Sequence, residues 1–450
     1  MIPSALDPAA TPRSLDIGVL IDTAPWSGFQ RHVVLLAAVA VIFDGFDNQL
    51  LGFAIPALVK DWHIARSAFS IVVALGFVGM AIGSALAGRI GDTLGRITGL
   101  AVSVLTFGVA TCATALAQGI PALAALRFLA GAGIGGALPN ATTLSGEFTP
   151  VSRRAMAVTM TILCVPVGGM LGGVAAAGIL PALGWRTLFV VGGAGPILFA
   201  LLLPLLIPES PRFLARRPDR RPELERVVVR LGGAAGPGTL FQDRAEQRTE
   251  SASLWSGLLG PGFTRDTLSL WLCFFCSLLT VNMAFSWLPS MLAAEGRSLA
   301  DSSAGLTYYN VGGIAGILVC GGFITLRGSR GPMMLCALGA SASAVALGLF
   351  PALPVAAMGI HGFFVNAVQS TVFTLSNHIY TTRVRASGAA FALSVGRLGS
   401  LVAAFSGAPL VQSGRAAFLD ALAVAMFGAF LALGLIRNHI PAPQSGPPRP

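Results

Sequence analysis

The sequence predicts an all-α membrane protein, with twelve transmembrane helices in two pseudo-symmetric six-helix bundles. Three observations lead there. Of 450 residues, 54% are apolar and only 11% charged, against about 25% charged in soluble domains. The polar residues needed to coat a soluble protein are missing. The apolar residues fall into twelve runs near the ~20-residue length that crosses a bilayer core. Basic residues gather in every second loop: Arg89 with Arg96, Arg153 with Arg154, Arg327 with Arg330, Arg383 with Arg385. The loops between hold Lys60 with Arg66, then Arg186, Arg297 and Arg415 singly. That alternation fits an even number of spans with both termini in the cytoplasm of a multi-pass inner-membrane protein.

In chain order, residues 1–31 read as a cytoplasmic tail, because Asp16 and Asp22 interrupt its apolar patch and no signal-peptide pattern is present. Six apolar runs follow at 32–58, 68–88, 98–117, 122–145, 155–180 and 187–207, making a first bundle over 32–207. A polar loop, 208–266, is dense in Arg, Asp, Glu, Gly and Pro. Six more runs, at 267–288, 304–326, 333–350, 355–378, 386–411 and 416–435, make a second bundle over 267–437. The proline-rich segment 438–450 cannot continue a helix and reads as a second cytoplasmic tail. Six spans, a charged loop and six spans is the layout of a transporter built from repeats. The loop after the second span, Gly88-Arg-Ile-Gly-Asp-Thr-Leu-Gly-Arg96, is echoed after the eighth by Arg327-Gly-Ser-Arg-Gly-Pro332, without the aspartate.

Several other classes are set aside. The net charge of +10 belongs to loop arginines, so no nucleic-acid partner is expected. The six cysteines lie in apolar stretches, and Cys273-x-x-Cys276 has no second pair, so they read as small buried hydrophobes with no metal or cofactor. Gly131-Ala-Gly-Ile-Gly-Gly136 fits a dinucleotide-binding spacing but has no strand before it, so it reads as close helix packing. No HExxH or GxSxG pattern suggests a membrane enzyme.

Charges at membrane depth cost about 2.5–3.5 kcal/mol each on insertion scales and mark function by default. Asp44 and Asp47 stand three apart on one face of the first span. Two anions so placed repel unless one is protonated, which is the behaviour proton coupling needs. Arg127 lies early in the fourth span, and Arg397 lies in the eleventh, which holds no acid, so a ligand anion suits it as partner. Glu147 ends the fourth span with Arg153 and Arg154 nearby, and reads either as an ion-pair member or as a proton site. His378, near the end of the tenth span, reads either as a proton relay or as an interfacial residue. Asn140, Asn366, Gln369 and Tyr308 are candidates to bond ring hydroxyls of a ligand. Asp92 and Arg96 stand where a helix meets the cytoplasm and are placed to lock the two halves.

The motif from Gly88 through Asp92 and Gly95 to Arg96 resembles the loop 2-3 signature of the major facilitator superfamily, with Thr93 where an arginine is usual. Pro208-Glu-Ser-Pro-Arg-Phe-Leu214 resembles the PESPR-type motif of several branches, including sugar and organic-ion porters. Asp44-Gly-Phe-Asp47, followed by Gly52 and Pro56, resembles the DGxD signature of aromatic acid:proton symporters. Arg127-Phe-Leu-Ala-Gly131, Leu138-Pro-Asn-Ala-Thr-Thr-Leu-Ser-Gly-Glu147, Gly362-Phe-Phe-Val-Asn366, Val384-Arg-Ala-Ser-Gly388 and Val395-Gly-Arg-Leu-Gly399 resemble the same branch. The resemblance implies that superfamily's fold and proton-coupled inward transport of a benzoate-, hydroxybenzoate- or phenylpropanoid-type acid by alternating access. A monomer without cofactor or metal is expected. The resemblance also implies that Asp44 and Asp47 serve coupling, that Arg127 and Arg397 face the carboxylate, and that Gly88, Asp92, Gly95 and Arg96 serve switching. The alternative is a facilitator for a sugar or other organic ion. Against it, no glutamine lies in 267–289 and no PETKG-like motif closes the chain.

Overall fold

The computed structural model describes residues 14–233, 239–242, 260, 263–353, 355–380 and 385–442. Arg383 and Val384, most of the polar loop between 243 and 262, residues 1–13 and residues 443–450 lie outside them. Among the described residues, eleven helices are long and apolar enough to cross a membrane. One of these, Val151–Leu206, runs for 56 residues and is broken at Gly184, whose φ of 77° is non-helical. Counting it as two gives twelve spans in two bundles, as the hydropathy pattern predicts. Spans 1 to 4 are Gly28–Trp62, Phe69–Thr93, Arg96–Thr114 and Ile120–Glu147. Spans 5 and 6 share the broken helix. Spans 7 to 12 are Thr264–Ala294, Leu299–Arg327, Arg330–Leu349, Met358–Ile379, Arg385–Gln412 and Arg415–Leu435.

The helices run past the apolar cores wherever a local signal lets them. Span 1 starts at Gly28 because Ser27 and Gln30 form a reciprocal capping box, with Gln30 N–H donating to the Ser27 hydroxyl and Ser27 N–H to the Gln30 side-chain oxygen. It ends at His63 in the left-handed region.

Within each half, glycine lets backbones touch, and the same device recurs at matching places. A Cβ on Gly131 would fall 2.1 Å from Gly76 O, joining span 4 to span 2, and one on Gly362 would fall 2.0 Å from Tyr309 O, joining span 10 to span 8. Span 1 packs on the span 5–6 helix as span 7 packs on span 11. Contacts between the halves run through spans 1 and 7, 2 and 11, and 5 and 8.

The described part of the N-terminal segment is folded rather than a plain tail. Ser14–Asp16 pairs in parallel with Leu240–Gln242 from the polar loop. The helix Ile17–Thr23 then buries Ile17 and Ile21 completely against the first bundle. The two aspartates that break the apolar patch have structural uses. Asp16 caps this helix by accepting from Gly18 N–H at 2.9 Å, and Asp22 meets Arg154 of span 5 at 2.5 Å.

Candidate functional site

The polar stretch of span 1 brings Asp47 to the centre of the first bundle, where it is fully buried. One of its oxygens accepts from the Thr111 hydroxyl of span 3. The other lies 3.7 Å from Arg127 Nη1 of span 4, an ion pair too long for a hydrogen bond. The Arg127 guanidinium sits 4.9 Å over the Phe189 ring of span 6. Its Nε and Nη2 are buried and have no acceptor among the described residues. One turn away on span 1, Asp44 is 5% exposed, and one of its oxygens also has no partner among the described residues. Buried polar atoms left this way cost about 1–3 kcal/mol each, more when charged, so the arrangement is poised for an acceptor or a proton. Asp47 and Arg127 line one cavity with Asn48, Gly76, Phe77 and, from the other half, Ser286. Its volume is about 40 Å³, room for a few water molecules and well below the ~300–1,000 Å³ of formed small-molecule sites.

The remaining candidates are dispersed. Arg397 reaches across the halves, its Nη1 donating to Met80 O at 3.0 Å and to Ser84 Oγ at 2.6 Å on span 2. Met80 also lines the cavity, so Arg397 holds its rim rather than its interior. Asn366 is buried, donates to Gly362 O at 3.0 Å and packs on Gly313. Gln369 keeps a buried oxygen with no partner among the described residues. Asn140 donates to Gly136 O at 3.0 Å and wedges between Gly91 and Gly99, inside the wall formed by spans 2, 3 and 4. Tyr308 is on the outer surface, 44% exposed, whereas its neighbour Tyr309 is fully buried, edge-on to Phe285 with ring centroids 6.1 Å apart.

A second cluster sits at the end of the bundle that bears the termini. Arg96 bonds Asp92 at 2.7 Å and lies 3.5 Å from Glu147, which accepts from the Ser210 hydroxyl. Glu147 therefore pairs with Arg96, while Arg154 turns away to Asp22. Glu209, buried after span 6, accepts from Ile97 N–H at 3.1 Å and from Ser210 N–H at 2.9 Å, so a carboxylate caps the positive end of span 3. Burial pushes its carboxyl above the usual range, against the pull of those N–H donors. Gly95, at φ 115°, is required there, because a Cβ would land 2.1 Å from a Glu209 oxygen. Gly88 has open space around it, and His378 is exposed.

A family model described as the Major Facilitator Superfamily matches residues 37–404. The chain belongs to that superfamily. It is 34% identical over 411 residues to the 4-hydroxybenzoate transporter PcaK of Pseudomonas putida, covering 89% of this chain and 91% of that one. Identity to the gallate transporter of Pseudomonas putida is 32% over 403 residues, with 89% and 90% covered. Among solved structures, the partially occluded inward-open xylose transporter XylE from E. coli overlays with a TM-score of 0.72 at 17% identity, covering 94% of this chain and all of that one.

In a major facilitator protein the contacts between halves define the state, and here they concentrate in the part away from the termini. A Cβ on Gly52 would fall 2.0 Å from Phe285 O, and one on Gly173 would fall 2.0 Å from Thr307 Oγ1. Gln49 and Asn310, both fully buried, exchange hydrogen bonds of 3.2 and 2.7 Å between spans 1 and 8. That face is closed. The sequence reading missed this amide pair, and also Thr111, Phe189 and Tyr309. Gln49 and Asn310 carry the same signal in the sequence as the buried charges, because polar groups at membrane depth need a partner.

Proposed function

We propose that this chain carries an aromatic carboxylic acid of the benzoate, hydroxybenzoate or phenylpropanoid type into the cell together with protons. It does so as a monomer in the inner membrane, with both termini cytoplasmic. The halves 32–207 and 267–437 are the moving bodies, and the loop 208–266 joins them. The observation that carries the reading is Arg127, a buried guanidinium with two uncommitted N–H groups on a cavity otherwise lined largely by apolar side chains. A carboxylate is the group that matches such a donor fork, and the relatives named for 4-hydroxybenzoate and gallate move acids of this kind.

The chemistry follows from charge balance. With Asp47 ionised, Arg127 has a partner 3.7 Å away. Protonating Asp47, or Asp44 beside it, removes the competing anion and leaves Arg127 to the substrate carboxylate. Substrate and proton then bind together because each favours the other. Arg397 joins the site when the halves move and its bonds to Met80 and Ser84 break. The Asp92, Arg96 and Glu147 cluster holds span 3 to the end of span 4 and sets the ease of that motion. Glu147 and His378 are the further candidates for proton transfer. A sugar or cation facilitator is disfavoured, because a buried arginine beside an apolar cavity selects an anion.

Proteoliposomes test this directly. Labelled 4-hydroxybenzoate should accumulate when the outside is acidic, and unlabelled aromatic acids should compete while xylose should not. Uptake of xylose, or no uptake of any aromatic acid, would refute the proposal.

A further inference from the structure

Three glycines line the Arg127 cavity: Gly52, Gly76 and Gly131. Two are explained by helix packing, since a Cβ on Gly52 would meet Phe285 O at 2.0 Å and one on Gly131 would meet Gly76 O at 2.1 Å. Gly76 has no such reason. Beyond its own helix, a Cβ built there finds one atom within 4 Å, Arg127 O at 3.7 Å, which is ordinary contact. A glycine inside a helix costs roughly 1 kcal/mol relative to alanine. The residue is half-exposed in a tightly packed span, and it opens onto the cavity that holds the uncommitted Nε and Nη2 of Arg127.

We infer that Gly76 determines the size of acid this transporter accepts: its missing side chain keeps clear the wall beside Arg127 against which the substituted ring of a substrate lies once the site has widened to take its carboxylate on the guanidinium. The inference rests on the aromatic-acid reading above and deepens it. Phe77, Val72 and Val73 of the same span, with Leu51 of span 1, supply the apolar wall. A methyl on Gly76 takes ring volume while leaving the carboxylate anchor intact. One methyl group's worth of misfit in an apolar pocket changes affinity about 10- to 200-fold.

The test compares wild type, Gly76→Ala and Gly178→Ala by equilibrium binding of benzoate, 4-hydroxybenzoate and 3,4,5-trihydroxybenzoate to purified protein. Gly178 is exposed on span 5 with nothing within 4 Å of its Cβ position, so it controls for the substitution itself. The expected result is a loss of about tenfold or more for the trihydroxylated acid in Gly76→Ala, with benzoate affinity and melting temperature near wild type and Gly178→Ala unchanged throughout. Equal affinity of Gly76→Ala and wild type for all three acids would overturn the inference while leaving the aromatic-acid reading standing. So would a uniform loss that includes benzoate. If wild type binds none of the acids, the reading itself falls and takes the inference with it.

Discussion

At the residue scale, Asp47 and Arg127 hold each other in place at membrane depth. Breaking a buried pair on one side leaves an uncompensated charge and costs about 3–5 kcal/mol. Asp47→Asn should therefore lower the melting temperature, and benzoate should restore more stability to this variant than it adds to wild type, because the ligand carboxylate supplies the missing anion. A thermal-shift titration reads both effects, and equal ligand stabilisation in the two proteins would contradict the pairing. Arg127→Lys keeps the charge but loses the fork, so substrate affinity should fall by about tenfold or more, about 1.4 kcal/mol, with folding intact. Much of this was legible in the sequence, since a charge inside an apolar run announces itself. Direction was not. Tyr308 and Tyr309 differ by one position, about 100° around a helix, and the outward-facing one is the one the sequence reading chose. Glu147 has Arg153 and Arg154 as near neighbours in sequence, yet its partner is Arg96 from another helix, a contact fixed by packing that no local pattern encodes.

At the scale of elements, the spans were readable because length and hydropathy decide them, and the glycine spacing of span 4 correctly signalled close packing. The folding of residues 14–23 was not readable, because Ser14–Asp16 finds its strand partner at Leu240–Gln242, more than 200 residues on. The other end of the chain is tied down by side chains as well. Ser329, in the turn between spans 8 and 9, donates its N–H to Ile440 O at 2.9 Å and accepts from Ile440 N–H at 2.9 Å. His439 reaches the Ser329 hydroxyl at 3.2 Å and Leu433 O at 3.1 Å. Burial, helped by Arg330 and His378 and opposed by Asp266, lowers the pKa of His439 below its usual 6.5. For a histidine whose folded-state pKa is depressed, stability is full above the unfolded value and is lost as pH falls from about 6.5 toward the folded one. The C-terminal segment should thus become more protease-sensitive on acidification through that window, and His439→Gln should flatten the dependence. An unchanged pH profile in that variant would remove His439 from the account. In the second cluster, Asp92→Asn should slow the transport cycle while leaving equilibrium substrate binding nearly unchanged. Binding assays set beside exchange rates separate the two, and a collapse of binding would refute a switching role.

At the scale of the whole molecule, a rocking motion of two halves must break the Gln49–Asn310 pair and the Arg397 bonds to span 2, then remake contacts on the other face. The direction of net flow is set by energetics. A monoanion entering a cell held at −100 mV is opposed by roughly 2.3 kcal/mol, about fifty-fold. One proton cancels the charge and leaves the pH gradient, worth ~1.4 kcal/mol per unit, to drive accumulation. Proton coupling through span 1 is the central claim. The most direct measurement follows labelled 4-hydroxybenzoate and lumenal pH together in proteoliposomes bearing wild type, Asp44→Asn, Asp47→Asn or the double variant. Wild type should concentrate the acid under an imposed pH gradient and acidify the lumen when substrate is added. At least one of the single variants, and the double variant, should still bind the acid yet neither concentrate it nor move protons. Wild-type accumulation and acidification in all three variants would contradict the claim.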